Sequence, residues 1–369
     1  MKTIVIDARI INSTTGRYVE RLLRHLENID QQHVYKILVP KKDLDYYRPR
    51  NPNFEVLEAD FDNYSFAEQT GFNALLKKLD ADLVHFCMPQ QPILYPGEHV
   101  TTVHDLTLLN SVAGDKNWFV YKLKQAVGRF VFKRIGQTSS FIISPSHYTS
   151  DEYQKFSGVG REKLVVTHLG ADPPSAKPEA YTPLDGKDYL LYVGNQSDYK
   201  NIRRLMRAHQ QLLKDYPDLQ LVLVGKLSGK NGTTLRINQQ WARSQEFENI
   251  LFTDFVSDEQ LAWLYQHAAA YVFPSLMEGF GLPGLEAMLN GAPVVSSNAT
   301  CLPEVYGDAA HYFDPTSVED MAAKIREVLN DQALRKSLIQ KGSEQVKKYS
   351  WETTARQTLD VYRRALGEK

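Results

Sequence analysis

Short, continuous apolar runs separated by helix-like stretches recur along the whole chain, and this rhythm constrains the fold more than any other feature. In the first half the runs are "TIVIDA", "YKILVP", "FEVLEA", "DLVHFC", "HVTTVHD", "SSFIISPS" and "KLVVTHLG". In the second half they are "DYLLYVGN", "LQLVLVGK", "NILFTDF", "AAYVFPS", "APVVSS" and "AHYFDP". Strands that are apolar throughout, rather than alternating, belong to parallel sheets covered on both faces. Helices between them make βαβ units with right-handed crossovers. The proline-rich stretch "ADPPSAKPEAYTPLDGKD", residues 171–188, breaks the series and reads as a linker. The expected fold is α/β, with two doubly wound domains of similar size over residues 1–170 and 189–350.

Composition sets further bounds. With 369 residues the chain exceeds what one hydrophobic core usually serves. Its formal net charge of −1 supplies no bulk field for nucleic acid, so a polyanionic partner would need a local patch. The two cysteines, Cys87 and Cys301, sit in or beside apolar strands and read as buried thiols, neither a disulfide nor a metal pair. The run "TIVID" after Lys2 is too short for a signal peptide, and no apolar stretch reaches the roughly 18 residues of a membrane span. A cytoplasmic protein is expected.

In open parallel sheets ligands bind beyond the carboxyl ends of the strands, so the residues after each strand carry the functional reading. Gly16 opens a helix after the first strand. It serves either a tight turn or the close approach of backbone N–H groups to an anion. His104 and Asp105 follow "HVTTV"; an imidazole there is either a structural hydrogen-bond partner or a group facing substrate. Gly194 ends the first strand of the second domain, and Lys200 and Asn201 stand at the start of the next helix. A lysine beside a helix N-terminus meets like charge, which makes sense if an anion such as phosphate lies between them. The alternative is a solvated lysine. "LVLVGKLSGKNG" lacks the Gly-Lys-Ser/Thr ending of a P-loop.

The stretch "EGFGLPGLEA", residues 278–287, contains Gly-x-Gly-x-x-Gly at Gly279, Gly281 and Gly284. A dinucleotide turn belongs directly after a strand, usually the first of its domain. Here "SLME" intervenes, and the strand is about the fourth of its domain. Pro283 suits the first turn of a helix rather than a loop wrapped on phosphate. The carboxylates are better placed. Glu278 precedes the helix and Glu286 lies in its first turns, and buried sugar hydroxyls need such acceptors. The helix start near Leu282 offers N–H groups to a diphosphate.

The stretch "FPSLMEGFGLPGLEAMLNGAPVVSSNATCLPEVYGDAAHYFDP" resembles the retaining glycosyltransferases of family GT4, which have the GT-B fold of two Rossmann-like domains facing across a cleft. Glu278 and Glu286 match that family's Glu-x7-Glu motif. "IDARIINSTTGRYVERLL", "VHDLTLL", "YVGNQSDYKN" and "DFVSDEQLAWLYQHAAAYVFPS" match its opening turn, His-Asp segment, phosphate segment and base-reading loop. The resemblance implies that Glu278 holds donor-sugar hydroxyls, Glu286 the donor ribose, and Lys200 the leaving diphosphate. It implies that the amides of Gly279, Phe280, Gly281 and Leu282 contact sugar or diphosphate, and that Gly16 and Gly194 approach the donor. His104 would sit beside the reacting sugar, and Val256 would offer backbone contacts to the base. It further implies a metal-independent hexosyltransferase without a cofactor, whose nucleotide-sugar substrate is GDP-mannose, acting on a glycan or lipid-linked acceptor bound to the N-terminal domain. The last helix, within residues 351–369, resembles the segment that crosses back onto that domain. Two departures stand out. Tyr199 occupies the usual arginine position, and "STTGRY" has a single glycine.

The segment "KNWFVYKLKQAVGRFVFKRIG" places Lys122, Arg129 and Lys133 on one helical stripe, with Phe119, Leu123, Val127 and Phe130 expected opposite. Such a helix either packs on the sheet with a solvated face or touches an anionic membrane peripherally. Two other function classes stay open: a GT-B epimerase or phosphorylase, and a non-catalytic sugar-binding protein.

Overall fold

The computed structural model describes residues 1–13, 15–110, 118–172, 177–225, 229–254 and 256–368. The chain divides into two units: Met1–Gly170 with Ser350–Lys369, and Ala171–Tyr349. Unit 1 contains strands β1 (Thr3–Asp7), β2 (Val34–Val39), β3 (Phe54–Glu58), β4 (Leu83–Phe86), β5 (His99–Thr102), β6 (Phe141–Ser144) and β7 (Leu164–Val166). They form one sheet in the order β3-β2-β1-β4-β5-β6-β7, parallel at every pairing. Unit 2 contains β8 (Tyr189–Val193), β9 (Gln220–Val224), β10 (Ile250–Thr253), β11 (Ala270–Phe273), β12 (Val294–Ser297) and β13 (Ala310–Phe313), in the parallel order β10-β9-β8-β11-β12-β13. The apolar runs read from the sequence are these strands.

Both faces of each sheet are covered, as continuous Val/Ile/Leu runs require. Ile4, Val5 and Ile6 of β1 are buried, as are Leu190, Leu191 and Tyr192 of β8. The strand order reverses between β1 and β4 in unit 1 and between β8 and β11 in unit 2. At such a switch point the two loops at the carboxyl ends diverge and leave a crevice. In unit 2 those loops hold Gly194–Lys200 and Glu278.

Three segments complete the frame. The proline-rich stretch belongs to unit 2: Thr182–Leu184 forms a short 3-10 turn with Leu184 buried, and Glu179 N donates to the Glu259 carbonyl at 3.1 Å. The helix Trp351–Ala365 belongs to unit 1, where Thr354 Oγ1 donates to the His168 carbonyl and the Tyr362 hydroxyl meets His85 Nδ1 at 2.6 Å. The helix Trp118–Thr138 packs into unit 1 through Val131, Phe132 and Ile135. Val127 and Phe130, expected on its inner face, are 48% and 58% exposed. Phe130 follows Arg129 directly, and a step of about 100° leaves it flanking the basic stripe rather than opposing it. The side chains of Phe119 and Leu123 lie outside the described residues. Among the described residues no helix is long and apolar enough to cross a membrane.

Candidate functional site

An enclosed arrangement of charged and turn residues lies at the β8/β11 switch. After β8 the chain passes Gly194 and makes a 3-10 turn, Asp198–Lys200. Asn201 follows in the left-handed region at φ 62° and starts the helix Ile202–Leu212. Its side-chain Nδ2 donates to the Pro274 carbonyl at 3.0 Å and to the Pro315 carbonyl at 2.7 Å. The Leu276 amide donates to the Tyr199 carbonyl at 2.8 Å. These bonds tie the loop after β8 to the loop after β11 and bring Lys200 Nζ within 2.6 Å of Glu278 Oε1. The two side chains are 11% and 13% exposed.

An ion pair this enclosed is held by geometry that the surroundings must supply. The Glu278 amide donates to Thr300 Oγ1 at 3.2 Å, and Cys301 Sγ donates to the Glu278 carbonyl at 3.3 Å. The Lys200 ammonium stands 5.2 Å from the Tyr199 ring centroid and 5.4 Å from that of Phe273. Tyr199 therefore supplies an aromatic face to the lysine, although it adds no positive charge. Glu278 Oε2 has no hydrogen-bond partner among the described residues, so this carboxylate keeps an acceptor available.

The glycines that follow answer to packing. Gly281 sits at φ 96° and caps the helix Leu282–Leu289, with Pro283 in its first turn. Tyr306 is fully buried, and its hydroxyl donates to the Gly281 carbonyl at 2.5 Å. A Cβ on Gly284 would collide with the Tyr306 ring, and one on Gly281 with its hydroxyl. The Gly-x-x-Gly spacing thus lets a helix start lie on an aromatic ring. Phe280 turns its side chain inward, edge-on to Tyr349 with ring centroids 5.5 Å apart, which leaves only its backbone for a ligand. Glu286 is partly buried as the fifth residue of this helix. Val256 is also buried, next to Ser257. Ser257 opens the helix Asp258–His267 with a capping box, its Oγ accepting from the Gln260 amide at 3.1 Å.

Unit 1 is built differently. Gly16 begins the helix Gly16–Ile29, and a Cβ there would collide with the Ile11 carbonyl, so the turn requires glycine on its own account. His104 Nε2 lies 3.0 Å from the Cys87 carbonyl and donates to it, which makes Nδ1 the acceptor of the neutral ring. Burial holds the His104 pKa below its ordinary value, against the opposing pull of that carbonyl and of Asp105. Asp105 is not a partner of the imidazole: its Oδ1 accepts from the Thr107 amide at 2.8 Å and starts a short helix. Tyr18 meets the His104 ring edge-on at 4.7 Å. Its hydroxyl lies 3.0 Å from Thr102 Oγ1, which lies 2.8 Å from His85 Nε2. Burial pushes the His85 pKa down to about 3.

The structure thus brings Lys200 together with Glu278 and places Gly279 to Leu282 and Glu286 on the element that follows. Gly194 shares the loop after β8 with Lys200, Val256 belongs to another loop of unit 2, and Gly16 and His104 belong to unit 1. Thr300, Tyr306 and Tyr18 shape these positions and carried no local signal in the sequence, whereas Asn201 and Cys301 stand out there only as a helix start and a buried thiol. Tyr306, for instance, is an ordinary apolar-helix residue until Gly284 is placed against it.

Residues 176–345 match the family Glycosyl transferases group 1, and residues 15–174 match Glycosyltransferase Family 4. Over 279 residues the chain is 32% identical to O-antigen chain mannosyltransferase B of Escherichia coli, covering 72% of this chain and 70% of that protein. It is 31% identical over 283 residues to the serotype-specific mannosyltransferase WbdA of Escherichia coli, covering 73% of this chain but only 34% of that longer protein. Among solved structures, sucrose-phosphate synthase from Thermosynechococcus elongatus superposes with a TM-score of 0.82 at 20% identity, covering all of both chains.

Proposed function

This chain belongs to the group 1 glycosyl transferases, of GT4 type with the GT-B fold, and from that membership we propose that it is a retaining mannosyltransferase. It moves mannose from GDP-mannose to a glycan or lipid-linked acceptor in cell-envelope polysaccharide or glycolipid synthesis. The observation that carries the reading is the enclosed Lys200–Glu278 pair at the β8/β11 switch. The donor diphosphate takes Lys200 as its counter-charge, and Glu278, released from the lysine, accepts hydroxyls of the sugar. Glu286 holds the ribose, and the backbone of Gly194, Val256 and Gly279 to Leu282 completes the donor contacts. His104 and Gly16 serve the reacting sugar and the donor phosphate from unit 1.

Charge that builds on the leaving diphosphate is met by Lys200 and by the N-terminus of the helix Leu282–Leu289, so the reaction proceeds without a metal ion. The mannosyltransferase relatives support the choice of donor. The protein works in the cytoplasm, with the Trp118–Thr138 helix touching the membrane that holds the acceptor.

The test is a thermal-shift screen of GDP-, UDP-, ADP- and dTDP-sugars, followed by turnover with and without candidate acceptors. A ligand present at 100 times its Kd stabilises by about 2.7 kcal/mol, so the true donor separates clearly from the others. Preferential stabilisation by another nucleotide sugar overturns the donor assignment. Donor consumption that is complete without any acceptor points to an epimerase, and binding without turnover to a sugar-binding protein.

A further inference from the structure

A second cation-rich site lies on the helix that follows the Lys200 loop. The helix Ile202–Leu212 has no acidic residue in its first turn and carries Arg203, Arg204 and Arg207. Arg203 and Arg207, one turn apart, lay their guanidinium groups over the same indole, Trp241, at 5.2 and 5.3 Å from its centroid. Trp241 belongs to the neighbouring helix, Gly229–Ser244. Together with Gln196, Asp198 and Asn238 these residues line a pocket of about 320 Å³.

The pocket has a built polar floor. Arg203 Nε donates to Asn238 Oδ1 at 3.2 Å, and Asn238 Nδ2 donates to Gln196 Oε1 at 3.2 Å. Gln196 and Asn238 are 2% and 5% exposed, and among the described residues Gln196 Nε2 has no hydrogen-bond partner. Arg204 Nη1 donates to Asn201 Oδ1 at 2.8 Å. Among the described residues no carboxylate pairs with Arg203 or Arg207. Asp198 is the carboxylate lining the pocket, set against three guanidinium groups.

Stacking on an indole holds a guanidinium in place without using its N–H donors. Asn238 takes only Nε of Arg203, so the terminal nitrogens stay available. Cations in the first turn oppose the positive end of the helix dipole, and the arrangement becomes favourable once an anion sits between them. A tetrahedral oxyanion satisfies parallel guanidinium donors better than a point charge does.

We propose that the Arg203–Arg207–Trp241 pocket binds a phosphate group, free or carried on a larger molecule, at a place separate from the Lys200–Glu278 pair. Asn201 links the two regions, because it accepts from Arg204 while its amide nitrogen ties the donor loop to Pro274 and Pro315. Phosphate in this pocket therefore stiffens the loop that carries Lys200.

Tryptophan emission of the full-length chain is titrated with inorganic phosphate, and separately with phosphatidylcholine vesicles containing phosphatidylglycerol. A saturable change is expected that disappears in Trp241→Phe and persists in Lys200→Ala. The double variant Arg203→Gln/Arg207→Gln weakens it at least about tenfold, the scale of one charged hydrogen bond. Arg203→Lys/Arg207→Lys keeps the charge but loses the planar fork, and falls between the double glutamine variant and wild type. A response to phosphate assigns a soluble ligand, and a response to vesicles alone that is lost in Trp241→Phe and weakened in Arg203→Gln/Arg207→Gln assigns a lipid headgroup; both support the site. The absence of any saturable, Trp241-dependent response to either probe overturns it. So does a response that Lys200→Ala abolishes and the arginine variants retain, since phosphate would then be binding at the donor loop.

Discussion

The carboxyl edges of the two sheets solve the same structural problem with different chemistry. In unit 2 the edge at the switch point is charged: an ammonium and a carboxylate, 2.6 Å apart, on loops tied together by Asn201. In unit 1 the His104 ring at the corresponding edge is neutral, and the charges at and after the end of β1 are buried and paired with one another, Arg9 lying 2.8 Å from Asp7 and 2.9 Å from Glu68. The imidazole donates to a backbone carbonyl, and Tyr18, Thr102, His85 and Tyr362 form a chain of neutral hydrogen bonds behind it. A charged edge suits a group that binds and stabilises developing charge; a neutral edge suits one that positions an uncharged ring. This contrast leads us to expect that substitutions in unit 2 change catalysis most and that substitutions in unit 1 respond most to pH.

The largest expected effect tests the charged edge. Glu278→Gln lowers turnover by about 10²–10³-fold, the usual loss when one polar contact to the transition state is removed. Affinity for free nucleotide changes little, since the proposed contact is to sugar. Glu286→Ala weakens nucleotide binding by about tenfold, or roughly 1.4 kcal/mol, through the ribose. His104→Ala, on the neutral edge, loses less turnover than Glu278→Gln. Steady-state kinetics and nucleotide titration of the three variants check this ordering. Equal loss of nucleotide affinity in Glu278→Gln and Glu286→Ala would dissolve the division of labour.

The same contrast explains what could be read from the sequence. The strands were legible because each is a continuous apolar run, and Lys200 and Glu278 because charges at strand ends need a reason. Gly281 and Gly284 invited a phosphate reading, but the partner that requires them, Tyr306, arrives later in the chain, and no local pattern predicts that contact. Asp105 is adjacent to His104 in sequence, yet its carboxylate starts a helix instead of meeting the imidazole. The inner face of the Trp118–Thr138 helix was misplaced because a slip of one residue turns a helix by about 100°. Sequence reports periodic burial and unusual charges well, and reports contacts to backbone carbonyls or distant aromatic rings poorly.

A double-mutant cycle sharpens the comparison further. Breaking a buried ion pair from one side strands a charge and costs roughly 3–5 kcal/mol; with side chains 11% and 13% exposed, somewhat less is expected here, about 2–3 kcal/mol. Lys200→Met and Glu278→Gln should each lower unfolding stability by that order. The double variant should be less destabilised than the sum, because neither charge is then left alone. Urea unfolding of the four proteins measures the coupling. Strict additivity would mean that the pair is not enclosed in solution.

The neutral edge predicts the pH response. His85, His99 and His104 of unit 1 all have pKa values lowered by burial, while unit 2 has one counterpart, His209, pushed down to about 4. Above the ordinary value of 6.5 each imidazole is neutral in both the folded and the unfolded chain, and its contribution is complete. As pH falls below that value only the unfolded chain takes up the proton, so stability is lost until the folded value is reached. For His85 and His209 the loss between pH 6.5 and 5 is about 2 kcal/mol each. Hydrogen exchange at pH 7 and pH 5 should show unit 1 losing more protection than unit 2, and His85→Gln should reduce the difference. Equal loss in the two units would show that these histidines do not set their acid sensitivity.

The smallest expected effect per residue concerns the outer surfaces. Large exposed apolar side chains gather on unit 1, where Tyr64, Phe66, Leu94, Val127 and Phe130 all face solvent; among the described residues unit 2 has Ile237. Exposed Lys122, Arg129 and Lys133 share one stripe of the helix Trp118–Thr138, with exposed Phe130 beside it. Basic residues beside shallow apolar ones suit an anionic bilayer surface, each basic residue adding about 1 kcal/mol. Arg129→Gln should therefore loosen binding to anionic vesicles by about fivefold, and the triple reversal Lys122→Glu, Arg129→Glu, Lys133→Glu should abolish it. The charge component should vanish at high salt, where the screening length shrinks to roughly 3 Å at 1 M, while any residual attachment through Phe130 should persist. Co-sedimentation at low and high salt separates the two contributions. If the triple variant sediments with anionic vesicles as well as the wild type does at low salt, the stripe is a solvated helix face, and the difference between the two units ends at their sheet edges.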